Sequence, residues 1–232
     1  MAQKINPINN KLNIIKLNHY EFNKYGYSFN NYIKHIHSRN YVFNFINRFC
    51  LKYNLFLETI NIVQTSSRIL IFIDILNLKN TTNFKIRRFF LETISIWLKF
   101  PILFYFYKNI KFGNSSLLIV NYINHLKKKK ANSPKKILQL IYNILKKQSK
   151  ITKVTYTIQG IKLINLRGFK LEISGCFDST RSQMAKKLKC NFGRVPLTKL
   201  KGYTDYSSYT FFTKSGSHGL KVWLFYEFKL CN

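Results

Sequence analysis

Residues 133–158, SPKKILQLIYNILKKQSKITKVTYTI, change hydrophobic period once, and that change decides the fold class. Up to Leu145 the apolar residues Ile137, Leu140, Ile141, Ile144 and Leu145 recur at helical spacing, with Lys135, Lys136, Gln139, Asn143, Lys146 and Lys147 elsewhere. Ser133 as N-cap and Pro134 at the first helical position start that helix. After Lys150 the period shortens to two. ITKVTYTI (151–158), FKLEISG (169–175), YTDYSSYTFF (203–212) and GLKVWLFYEF (219–228) read as strands, with turns expected at Gly160, Gly168, Gly175, Gly193, Gly202, Gly216 and Gly219. A mainly antiparallel sheet with the 134–148 helix packed on it follows.

Upstream, Ser115–Ser116 can cap a helix whose Leu118, Tyr122 and Leu126 share a face, and KKKKANSPKK (127–136) forms an exposed basic knuckle between the two helices. A pattern break at Gly113 and Asn114 puts a domain boundary near 110. Before it, VFNFINRFCLKY predicts a helix capped by Ser38 and running to about Tyr53, with Val42, Phe43, Phe45, Ile46 and Phe49 on its apolar face. LETINIV (57–63) and RILIFIDIL (68–76) read as a hairpin across QTSS, FKIRRFFLETISIWL as a second helix with Arg87 and Arg88 outward, and ILFYFY (102–107) as a third strand. The expected organisation is an extended arm over 1–37, an α+β domain over 38–110 and a second α+β domain over 111–232.

The balance of 39 Lys plus Arg against 8 Asp plus Glu gives +31, a charge that repels itself on a compact surface and calls for a polyanionic partner. With 46% hydrophobic and 16% aromatic residues the chain still has material for a core. The run WLKFPILFYFY (97–107) is broken by Lys99 and Pro101 and is shorter than the roughly 18 residues of a membrane helix, so no membrane association is expected. The N-terminus, MAQKINPINNKLNII, has neither a signal-peptide pattern nor the Arg- and Ser-rich look of a transit peptide.

Chemistry finds little support. No two carboxylates lie within four residues of each other, no phosphate-binding glycine loop occurs, and Cys50, Cys176, Cys190 and Cys231 form no C-x-x-C. No catalytic residue, metal or cofactor is expected, and the cysteines are read as reduced or buried thiols. His35 and His37 have the wrong spacing for one helix face and are read as solvated or RNA-facing. What remains is a basic surface for phosphate: Lys127, Lys128, Lys129, Lys130, Lys135 and Lys136; then Arg181, Lys186, Lys187, Lys189 and Arg194; Arg87 and Arg88; and Gln3 and Lys4 in the arm. Ordinary solvated faces are the alternative for each cluster. Tyr203, Tyr206 and Tyr209 are assigned to packing rather than to base recognition.

The segments GFKLEISG (168–175), MAKKLKCNFGRVPLTKL (184–200), DYSS (205–208) and GLKVWLF (219–225) resemble, in order and spacing, the C-terminal domain of the third protein of the small ribosomal subunit. MAQKINPINNKLNII is similar to that family's opening arm, and 115–145 to its paired helices around a basic bend. The resemblance implies a type II KH domain over 38–110, yet the chain has no Gly between Gly26 and Gly113. A KH-like scaffold without the G-x-x-G clamp is therefore expected, its loop replaced by NLKNTTN (77–83).

The implied function is structural: a constituent of the subunit head at the mRNA entry channel, contacting rRNA, mRNA and neighbouring head proteins, with no homo-oligomer. Lys128 and Lys129 match the family's basic helix; Ser133 and Pro134 replace its further arginines, with Lys135 and Lys136 as substitutes. GRVPL is expected to end a strand with Arg194 free to meet RNA, Pro196 to limit further pairing there, and Asp205 to order a local turn. Residues with A/T-rich codons point to an organelle, a mitochondrion or alternatively a plastid. The competing reading is a nucleic-acid-processing or intron-splicing protein outside the ribosome.

Overall fold

The computed structural model describes residues 6–8, 29–53, 55–64, 68–76, 92–96, 101–108, 115–128, 133–148, 152–157, 160–177, 184–197, 199, 202–213 and 216–229. The chain divides into two compact units, His19–Ile110 and Met1–Asn18 with Lys111–Asn232. Both are α+β.

In the first unit a helix, α1 (Phe29–Lys52), precedes strands β1 (Phe56–Gln64) and β2 (Ile69–Leu76); residues 92–96 are helical and β3 (Ile102–Lys108) follows. The sheet order is β1-β2-β3, with β1 and β2 antiparallel and β2 and β3 parallel. A parallel pair needs a crossover, which the chain between 77 and 101 supplies. Its core joins Val42, Ile46, Phe49 and Cys50 of α1 to Ile71, Ile73 and Phe104 of the sheet, with Ile94 over them.

Two expectations change here. Helix α1 begins at Phe29, so Ser38 lies inside it and is no cap. Ile33 and Ile36, ahead of Ser38 in the helix, are both exposed, so they give no buried periodicity to read. Phe43 is likewise exposed, and Cys50 takes the buried position beside Phe49. Burial pushes the Cys50 thiol up to about 12.

The second unit carries helices α2 (Ser116–Lys128) and α3 (Pro134–Lys147) and strands β4 (Thr152–Thr157), β5 (Gly160–Gly175), β6 (Lys186–Phe192), β7 (Gly202–Thr213) and β8 (Gly216–Phe228). The order β4-β5-β8-β7 is antiparallel throughout, and β6 pairs with β5 end to end with β4 along the same edge. Helix α3 starts at Pro134 after extended Ser133, although the Ser133 side chain makes no capping bond. Its buried residues are Ile137, Leu138, Ile141 and Leu145, whereas Leu140 is exposed: the stripe is rotated from the one expected. Helix α2 buries Leu118, as expected, with Ile119, Val120 and Ile123, whereas Tyr122 and Leu126 are half-buried.

Strand β5 runs unbroken through Gly168. Its core residues are Ile164 and Leu166, then Phe169, Leu171 and Ile173, so the inward parity shifts by one at a bulge against β8 between Leu166 and Gly168. A bulge inserts one residue and flips every later side chain, which keeps both halves on the core. At this bulge β6 leaves the sheet. Phe169 pairs with Phe192, and one step beyond, Gly168 and Gly193 lie in backbone contact.

Asp205 does not order a local turn. It sits within β7, and its carboxylate accepts the backbone N–H of Ser116 at 2.8 Å, while Ser115 Oγ accepts that of Leu118 at 3.3 Å. Two of the four orphan donors of α2 are thereby satisfied, and Asp205 brings negative charge to a helix start that has no acid of its own. Asp205→Ala is expected to destabilise the chain by about 1–2 kcal/mol, read as a lower denaturation midpoint. Asp205→Asn should recover part of that loss; an unchanged midpoint for the Ala chain rejects the capping role.

Candidate nucleic-acid interface

The outward face of the five-stranded sheet is built by register. One row across it runs Lys189, Glu172, Lys221 and Ser208; the next runs Lys187, Ser174, Gly219 and Thr210; a third runs Asn191, Lys170, Trp223 and Tyr206. Strand β6 makes the split. Leu188, Cys190 and Phe192 turn toward the core, leaving Lys187, Lys189 and Asn191 exposed on the other side. Toward Trp223, itself only 4% exposed, the face is covered, with the Lys170 ammonium 4.8 Å from the indole centroid and 3.5 Å from Glu172. Toward Lys187, Lys189 and Lys221 it is open.

The described carboxylates of this unit are engaged within the chain. Among its described residues they are Glu172, held by Lys170; Glu227, held by Arg167 at 3.1 Å and by Lys199 at 3.6 Å; and Asp205, which caps α2. Lys135, Lys136, Lys187, Lys189 and Lys221 are left exposed. An exposed, multiply cationic sheet face in this setting can bind a phosphate backbone and release its counterions.

The helix layer carries the second basic surface. Lys135 and Lys136 are exposed in the first turn of α3, which has no acid in that turn. Cations at the positive end of a helix dipole are unfavourable in isolation and are relieved by an anion. Lys135 and Lys136 therefore lie on the side of the sheet opposite to Lys187 and Lys189; the structure brings each cluster together but not the two with each other. Lys186 and Arg194 are exposed at the two ends of β6. Residues 194–196 are unpaired after it, as Pro196 implies.

Lys127 is placed differently. Its ammonium lies 3.4 Å from the centroid of Phe211, a ring stacked on His218. Burial lowers its pKa to about 8, and burial together with the Lys127 charge lowers that of His218. The ring attracts the cation, but lost hydration outweighs that attraction. Because the unfolded chain holds this proton up to about 10.5, native stability should rise between pH about 8 and 10.5 relative to Lys127→Met. Denaturation midpoints of both chains across that window check this; parallel curves reject it.

Lys128 ends α2. Gln3, Lys4, Arg87, Arg88, Lys129, Lys130 and Arg181 lie outside the described residues, as does the 77–83 loop. Among the described residues no group of three His, Cys, Asp or Glu gathers, and no helix is long and apolar enough to cross a membrane. His35 and His37 both lie on α1. Tyr203 packs on Tyr226 and Tyr206 on Trp223, while Tyr209 is exposed. Sequence reasoning missed Lys221 and placed only the end of β6, at GRVPL, not its extent, although KKLKCNF alternates Leu188, Cys190 and Phe192 with Lys187, Lys189 and Asn191.

No family model matches the chain. Curated proteins do. It is 33% identical over 231 residues to the small ribosomal subunit protein uS3m of Chondrus crispus, covering 97% of this chain and 94% of that one. It is also 31% identical over 199 residues to uS3c of Euglena longa, covering 78% and 82%, and 41% identical over 71 residues to uS3c of Tupiella akineta, covering 29% of each.

Proposed function

We propose, on the premise that the chain belongs to the uS3 family of small ribosomal subunit proteins, that its two basic surfaces hold rRNA and incoming mRNA. The chain is a structural constituent of the small ribosomal subunit, and it works in the mitochondrion. Within that role the open sheet face of Lys187, Lys189 and Lys221 binds the sugar–phosphate backbone of rRNA. Lys135 and Lys136, with Lys128, Lys129 and Lys130 of the knuckle, meet mRNA at the entry channel of the subunit head. Arg87, Arg88, Arg181, Arg194, Gln3 and Lys4 belong to the same set of phosphate contacts. The first unit acts as a KH-like scaffold that lacks the glycine clamp, so its contribution is to packing rather than to gripping a single strand. The role needs no chemistry and is not enzymatic.

One observation carries the binding reading: the described carboxylates of the second unit are engaged inside the chain, while Lys135, Lys136, Lys187, Lys189 and Lys221 are exposed. Small subunits from cells expressing an epitope-tagged chain test the assignment on a sucrose gradient at moderate salt. Co-sedimentation of the tag with the subunit is expected. A tag at the top of the gradient, with other subunit proteins still in the subunit peak, rejects it.

A further inference from the structure

The outer face of the first unit's sheet is apolar and aromatic in its described rows. Strand alternation sends Ile71, Ile73 and Phe104 inward to α1, so the residues between them point away. Val63, Leu70 and Leu103 form one cross-strand row; Phe72 pairs with Tyr105, and Asp74 with Tyr107. The Phe72 and Tyr105 rings stack at 5.1 Å, and Phe72 and Tyr107 lie 6.4 Å apart at 16°. Val63, Leu103, Tyr105 and Tyr107 are between 37% and 52% exposed.

No lysine or arginine belongs to these rows, in a chain that has 39. Their charged member is Asp74, which accepts the Thr59 hydroxyl. RNA would need cations here to replace its counterions, and an acid would repel it. An apolar, tyrosine-rich centre depleted of cations is instead the composition of a protein–protein contact.

We propose that this face docks a neighbouring protein of the small subunit, one that presents aliphatic side chains to the Phe72–Tyr105–Tyr107 platform and a basic side chain to Asp74. The inference rests on the ribosomal assignment and adds to it the surface and the class of partner. Deep interface aromatics dominate such contacts, so charge placed among them should weaken docking by roughly tenfold or more.

The full chain carrying p-benzoylphenylalanine in place of Tyr105 is rebuilt into small subunits stripped of the native copy, sedimented and irradiated. The expected adduct is to a protein, resists ribonuclease and is removed by protease. A ribonuclease-sensitive adduct to rRNA overturns the proposal, and so does the absence of any adduct in subunits that contain the chain. Failure of the chain to co-sediment at all strikes the ribosomal assignment instead, and this inference with it. In a second arm, Leu103→Lys with Tyr105→Lys should keep the native melting temperature yet release the crosslinked neighbour from the subunit; retention of the neighbour overturns the proposal.

Discussion

Gly193→Ala is expected to cost about 3 kcal/mol or more, from roughly 1–2 for a left-handed backbone at a residue with a side chain and a similar amount for overpacking. Gly193 has φ +63°, and a Cβ there would lie 2.2 Å from the carbonyl oxygen of Arg167. The obstacle is backbone of β5 at its bulge, which cannot turn aside as a flexible side chain can. Gly168 meets the reciprocal constraint: its added Cβ would lie 2.4 Å from the Arg194 carbonyl oxygen. Equilibrium denaturation of the Gly193→Ala and Gly168→Ala chains should show comparable losses, because the contact is shared. Gly193→Asn separates the two causes, since Asn tolerates the left-handed region but still brings a Cβ. A Gly193→Ala chain with a native midpoint would mean that β6 can leave the sheet edge without this crossing.

The second large effect is electrostatic. Lys187→Gln, Lys189→Gln and Lys221→Gln together should lower affinity for a small-subunit rRNA transcript on the order of a hundredfold near 0.1 M salt and flatten the log–log salt slope by roughly 2–3. The fold should be unaffected, because these three side chains are exposed on the outward face. Lys127→Gln serves as a contrast: with its ammonium held against Phe211, its loss should change the slope by far less than any one of the three. Filter binding across a salt series reads both numbers. Equal slopes for the native and triple variants place the phosphate contacts elsewhere.

Much of the fold was legible. The 56–64 and 69–76 hairpin, the third strand at 102–108 and the helix starting at Pro134 all carried local signals, in period, turn residues or caps. Helix α1 was cut short at Ser38, where the preceding Ile33 and Ile36 are exposed and signal no buried face, and β5 was cut at Gly168 because a bulge interrupts its parity. Of strand β6 only the end, at GRVPL, was read, and its body was taken as a basic cluster. Its pairing uses backbone groups that look alike in every residue, so its lysines hid a strand whose alternation was present.

By itself, then, the sequence determined the class of molecule: two α+β units, and a charge of +31 that only a polyanion can neutralise. Period and net charge are sums over neighbouring residues and need no coordinates. Tertiary structure decided which cations are usable. It put Lys189 in one row with Lys221 and Lys187 in the next, sent Lys127 over an aromatic ring, spent Asp205 on a helix 89 positions away, and left the described rows of one sheet face aromatic and without lysine or arginine. Each of these depends on residues far apart in the chain meeting across strand registers, and a register is set by the packing of the whole sheet rather than by any one segment of it.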